Sequence, residues 1–128
     1  MEITVPVSIG EYFDKYSILS IKSVKLTDAK KLAYVEREKQ ALESKMDELE
    51  HILQTQAYQR LYEINLELWD IEDNIRQKEK QKLFDDSFIQ LSRSIYFLND
   101  ERFNCKNEIS KLAGSVYKEQ KSHATCAG

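Results

Sequence analysis

The sequence predicts an all-α protein, an antiparallel bundle of about four helices. Only three Gly and one Pro punctuate 128 residues, too few turn signals for a sandwich or barrel of many short strands. Apolar residues recur at steps of three and four along most of the chain, the period of a helix with one buried face. Hydrophobic residues make up 41% and charged residues 32%, a composition that builds one core and does not stay disordered. A single helical domain over residues 1–128 is expected, with 115–128 as a partly flexible tail.

Ile3, Val5 and Val7 alternate with polar residues and with Pro6, which reads as a short edge strand. Residues Val116 to Lys121 are its expected partner, giving a short two-stranded contact between the termini. Ser8 and Glu11 match a capping box, so the first helix is placed from about Ile9 to Lys25. Thr27 and Asp28 supply the next cap signals, and Leu32, Val35, Leu42, Met46, Leu49 and Leu53 share a helical face. The third helix has the cleanest seam, since Ala57, Leu61, Ile64, Leu68, Ile71 and Ile75 alternate steps of four and three. A break at Gln54-Thr55-Gln56 is preferred over a continuous helix. Phe84-Asp85-Asp86 ends this helix and caps the fourth, whose seam runs Phe88, Leu91, Ile95, Leu98, Arg102, Cys105, Ile109 and Leu112. Gly114 suits the residue just past its end. The second and third helices are expected to project as a hairpin, its exposed seam covered by a second copy in a homodimer.

A net charge of −3 gives no general electrostatic grip on nucleic acid or on an anionic membrane, and neither is an expected partner. No stretch approaches the roughly 18 apolar residues of a spanning helix, and the start lacks the pattern of a secretory leader. Cys105 and Cys126 do not resemble a disulfide framework, which fits a reducing compartment, the cytoplasm. Neither a cofactor nor a metal is expected, because Glu67-x-x-Asp70 lacks matching carboxylates and His123-x-x-Cys126 offers two potential zinc ligands where a structural site wants four.

The chemistry-bearing residues border the third and fourth seams. Arg102 stands at a seam position between Leu98 and Cys105, and a guanidinium there needs a partner. Asp70 or Asp73 is expected to supply it as a bidentate carboxylate. The pair reads either as a structural device fixing helix register or as part of a clamp for a carboxylate or phosphate ligand. In the second case Lys15, Lys22, Arg93, Arg102 and Lys106 bind the anion, and Asn99 and Trp69 contact the ligand. Asp70 or Asp73 then serves as general base or metal ligand. The plainer readings are a solvated lysine stripe on the first helix and a core tryptophan.

VPVSIGEYFDKYSIL at 5–19, LWDIED at 68–73, FDDSFIQLSRSIY at 84–96, ND at 99–100 and EQKS near the end resemble an uncharacterised family of small helical bacterial and phage proteins, a domain of unknown function. The resemblance spans nearly the whole chain. It implies no activity, but neighbouring sugar-transfer genes in the family point toward anionic sugar metabolites. Matching positions include Gly10, Glu11, Asp14, Lys15, Trp69, Asp70, Glu72, Asp73, Arg76, Arg93, Asn99, Asp100, Arg102, Lys106 and Lys121, while Phe103 replaces a smaller residue. Two functions follow as expectations. The first is a helical interaction or scaffolding module forming a homo-oligomer. The alternative is a small helical enzyme or binding protein for an anionic metabolite bearing phosphate or carboxylate.

Overall fold

A computed structural model of the chain describes residues 1–114, 121 and 123–126, and the regular elements among them are all helical. They are α1 (Ile9–Lys25), α2 (Ala29–Glu43), a 3-10 helix (Asp47–Gln54), α3 (Gln56–Lys80) and α4 (Asp86–Ala113). No helix among the described residues is long and apolar enough to cross a membrane.

The helix ends follow local chemistry. Ser8 Oγ accepts from the Glu11 amide at 3.1 Å, Asp28 from the Lys31 amide at 2.9 Å, Thr55 from the Tyr58 amide at 3.2 Å and Asp85 from the Phe88 amide at 2.9 Å. Each satisfies a first-turn N–H that has no intrahelical acceptor. Gly114 ends α4 in the left-handed region at φ 71°, which costs glycine no Cβ clash. One half of the expected capping box is absent, because the Glu11 carboxylate turns to Lys106 Nζ at 2.6 Å.

The segment expected as one helix from Asp28 to Leu53 is two. α2 ends at Glu43, and Asp47, at φ 39°, starts the 3-10 helix. Aspartate tolerates this conformation better than most residues, and the kink lets both Met46 and Ile52 enter the core. The described residues therefore form five helical segments where about four helices were expected. The expected strand is also absent: Ile3, Val5 and Val7 are exposed, and no strand forms among the described residues. A lone extended segment has no ladder to hold it. Its expected partner lies outside the described residues except for Lys121.

The core gathers Phe13 of α1, Met46 and Ile52 from the kinked connection, Ala57, Tyr58, Leu61 and Ile64 of α3, and Leu98, Cys105 and Ile109 of α4. α3 packs most extensively on α4, and α1 lies against both. α2 packs along α1, so the expected hairpin of the second and third helices does not form. The Tyr12 hydroxyl donates to the Leu42 carbonyl and fastens the end of α2. Arg60, early in α3, reaches Glu101 at 2.6 Å, whereas Lys78, late in α3, reaches Asp85 at 3.1 Å just before α4.

Closest approach occurs where α1 begins. A Cβ added to Gly10 would lie 2.0 Å from the Lys106 carbonyl oxygen and 2.9 Å from Ser110 Oγ, so only glycine fits. The Gly10 N–H donates to Ser110 Oγ at 2.8 Å, a cap supplied by a residue 100 positions away. This contact sets the height of α1 on α4 and brings Asp14 level with Arg102.

Candidate functional site: a tryptophan-walled cleft over a buried ion network

One turn after Gly10, Asp14 is 1% exposed and is the buried acceptor around which the polar residues organise. Arg102 donates to it side-on, Nε to Oδ1 at 2.9 Å and Nη2 to Oδ2 at 2.6 Å. Asn65 Nδ2 donates to Asp14 Oδ1 at 2.9 Å and to Ser17 Oγ at 2.7 Å, and Ser17 Oγ donates to the Asp14 carbonyl at 2.7 Å. Lys106 Nζ lies 3.9 Å from Asp14 Oδ2 and 2.6 Å from Glu11 Oε2. Two carboxylates thus balance two cations across α1 and α4, as removal of charge from water requires.

This corrects the expected pairing. Neither Asp70 nor Asp73 reaches the bidentate position on Arg102; Asp14 takes it. Asp70 is exposed and pairs with Lys25 at 3.2 Å. Glu11, Lys15, Ile18, Lys22 and Lys25 share one face of α1, expected either as a solvated stripe or as a cleft lining, and of these Ile18 alone lines the cleft. The buried polar face is one step round, at Gly10, Asp14 and Ser17. A small residue, a carboxylate and a hydroxyl at four- and three-residue spacing, with Phe13 and Ile21 beside them, was the available signal.

Arg102 also closes the inner end of a cleft of about 450 Å³ between α1, α3 and α4. Trp69 and Leu68 of α3, Ile18 of α1 and Ile95 of α4 form its apolar wall, and Asn65, Glu72, Asp73, Arg76, Asn99 and Arg102 line it with polar groups. Arg102 keeps 29% of its side chain exposed while Asp14 keeps 2%, so the guanidinium reaches from the buried network toward the cleft. Arg76 Nε donates to Glu72 Oε2 at 3.3 Å on the outer rim. Asp14 already balances Arg102, and the other charged groups of the lining are Arg76, Glu72 and Asp73, so the cleft carries no surplus of positive charge.

Of the residues singled out from sequence, the fold brings Trp69, Asp73, Asn99 and Arg102 together at this cleft. Lys106 lies in the buried network beneath it. Lys15 pairs with Glu38 at 3.5 Å, and Lys22 lines a separate groove between α1 and α2 with Tyr34 and Arg37. Arg93 is exposed on α4. No group of three or more His, Cys, Asp or Glu among the described residues is placed to hold a metal ion. Burial pushes the Cys105 thiol up, away from the reactive thiolate.

A second polar contact lies on another face of α4. Asp100 accepts from Lys121 Nζ at 2.5 Å and from the Cys126 amide at 2.7 Å, and the Lys121 ammonium sits 5.6 Å from the Phe103 ring centre. Lys121 first and the Cys126 N–H second hold the Asp100 carboxyl below the usual range. Comparison of the chain with known protein families, with curated proteins and with solved structures found no match.

Proposed function

We propose that this chain is a small helical binding protein, arranged as an antiparallel bundle, whose cleft at Trp69 takes a hydroxyl-bearing metabolite with one anionic group. One observation carries the reading: Trp69, Asp73, Asn99 and Arg102, from two helices, line a single cleft whose inner arginine is oriented by a buried carboxylate. A flat aromatic wall with a few fixed polar groups is the usual make-up of a small-molecule site. Arg102 and Asn99 suit a carboxylate or phosphate oxygen. Asp73 and Glu72 suit hydroxyl donors, and a lining with no surplus of positive charge disfavours a polyanion.

Trp69 is the chain's single tryptophan, so its emission reports on the cleft directly. Titration with a panel of sugar phosphates, uronic acids and simple carboxylates is expected to shift that emission and raise the melting temperature for at least one class. Asn99→Ala and Arg102→Lys should weaken the same response. Binding that persists in Trp69→Ala, followed calorimetrically, would move the site elsewhere and refute the reading.

The second reading, a scaffolding module that self-associates, is favoured by a separate observation. Leu83, Phe84, Ile89, Tyr96 and Phe97 are each between 43% and 58% exposed around the turn into α4 and along its first half.

A further inference from the structure

We infer that the first half of α4 is a homodimer interface in which two copies of α4 cross antiparallel about a two-fold axis beside Ile89 and Gln90. This rests on the self-association reading and is independent of the cleft. α4 sends Leu98, Cys105 and Ile109 into the core. The opposite face carries Asp86, Ile89, Arg93 and Tyr96 at three- and four-residue steps, with Phe97 beside them, all exposed. Asp86 and Arg93 make no ion pair among the described residues, whereas Lys78 and Asp85 close by do.

Their spacing is self-complementary. In an antiparallel crossing centred between positions 89 and 90, Asp86 stands opposite the partner's Arg93, and Arg93 opposite the partner's Asp86. Tyr96 comes level with the turn that precedes the partner's α4, where Leu83 and Phe84 are exposed, and Ile89 lies at the axis. A two-fold interface requires this reciprocity, and a register that set Asp86 against the partner's Asp86, or Arg93 against the partner's Arg93, would put like charges face to face. The apolar area also fits. Five large side chains, each about half exposed, present about 400–500 Å² per copy. That matches the apolar share, about 60%, of the roughly 800 Å² per partner in a standard interface. One turn beyond Phe97, Lys121 and Cys126 cover Asp100 on the same stripe, so the uncovered stretch ends where the chain's own tail begins.

Sedimentation equilibrium of the full chain over a range of concentrations tests this. The wild type is expected at twice the chain mass, and Arg93→Asp or Asp86→Arg should each raise the dimer Kd about tenfold or more by placing like charges opposite. The double variant Asp86→Arg/Arg93→Asp exchanges the charges and should return the Kd to within about threefold of wild type. Ile89→Asp, on the axis, should leave single chains with unchanged helical circular dichroism. A wild type that sediments as one chain throughout overturns the proposal. So does a dimer indifferent to either reversal, or a helical double variant that stays as weak as the singles. None of these outcomes depends on Trp69, so failure here leaves the cleft reading standing.

Discussion

Replacing Arg102 with Met removes two hydrogen bonds, of 2.9 and 2.6 Å, from a carboxylate that is 1% exposed. What remains on Asp14 is the Asn65 amide at 2.9 Å and the Lys106 ammonium at 3.9 Å. Breaking a buried pair from one side costs about 3–5 kcal/mol, because the orphaned charge keeps its desolvation penalty. Lys106 offsets part of this, and Arg102 was itself 29% exposed, so the lower end, about 3 kcal/mol, is expected. For a chain of this size each kcal/mol moves the melting temperature by roughly 3–5 °C, a loss of about 10–15 °C by circular dichroism. Asp14→Asn should cost less, about 2 kcal/mol, since it leaves no buried anion, although its amide must direct N–H groups at donors. Because the two residues act on one bond set, Asp14→Asn/Arg102→Met should be more stable than the sum of the singles by about 2 kcal/mol. Additive singles, or Arg102→Met melting within about 2 °C of wild type, would refute the network as a source of stability. A raised melting temperature would go further, showing the arginine held at the expense of the fold, as ligand-binding groups often are.

Gly10→Ala forces the Lys106 carbonyl, 2.0 Å from the new Cβ, to move with its helix. The variant should lose about 2–3 kcal/mol in denaturant melts, the upper range for overpacking, with a weakened Trp69 response as Asp14 shifts under Arg102. Burial, with Tyr16, Glu43 and Asp47 adding to it, pushes Tyr12 up to about 12. The folded value lies above the unfolded one, so this stabilisation is complete below about pH 10 and is lost as pH rises toward 12. Tyr12→Phe should flatten that alkaline loss in pH-dependent melts. Asp100, held low by Lys121 and Cys126, behaves oppositely: its contribution is complete above the ordinary carboxylate range and disappears as acid passes the lowered value. Asp100→Asn should release the tail at neutral pH, seen as faster proteolytic trimming near Lys121 with little change in the global melt.

Helix ends were legible because capping is local chemistry. Ser8, Asp28 and Asp85 each announce an N-terminus within three residues, and Gly114 announces a stop. The α3 and α4 seams were legible because the core obeys the same period that defines them, although the expected last member of the α4 seam, Leu112, is exposed. Less legible was the neighbour each face would meet. Asp14 looks like one more surface carboxylate until Gly10 brings α1 against α4, an event 100 residues apart in the chain. Asp70 or Asp73 was the expected partner of Arg102 because both border the α3 seam, yet a seam fixes neither which helix approaches nor at what height. The kink at Asp47 escaped for a related reason, since Met46, Leu49 and Leu53 fit a continuous helix as well as a broken one. Ile3, Val5 and Val7 show the converse: alternation specifies a strand only where another strand exists to pair with it.

α2 contributes no fully buried side chain to the molecule. It is fastened to α1 by the Tyr12 hydroxyl, the Lys15–Glu38 pair and the Lys39 ammonium 5.8 Å from the Tyr16 ring centre. Such a helix behaves as a separate cooperative unit whose amides exchange through a local opening far cheaper than global unfolding. Length changes, affinity tags or a circular break introduced between Lys30 and Gln40 should therefore leave α1, α3 and α4 assembled. The molecule reads as a three-helix chassis with a detachable flank, and sequence added to or removed from that flank should leave the rest as it is.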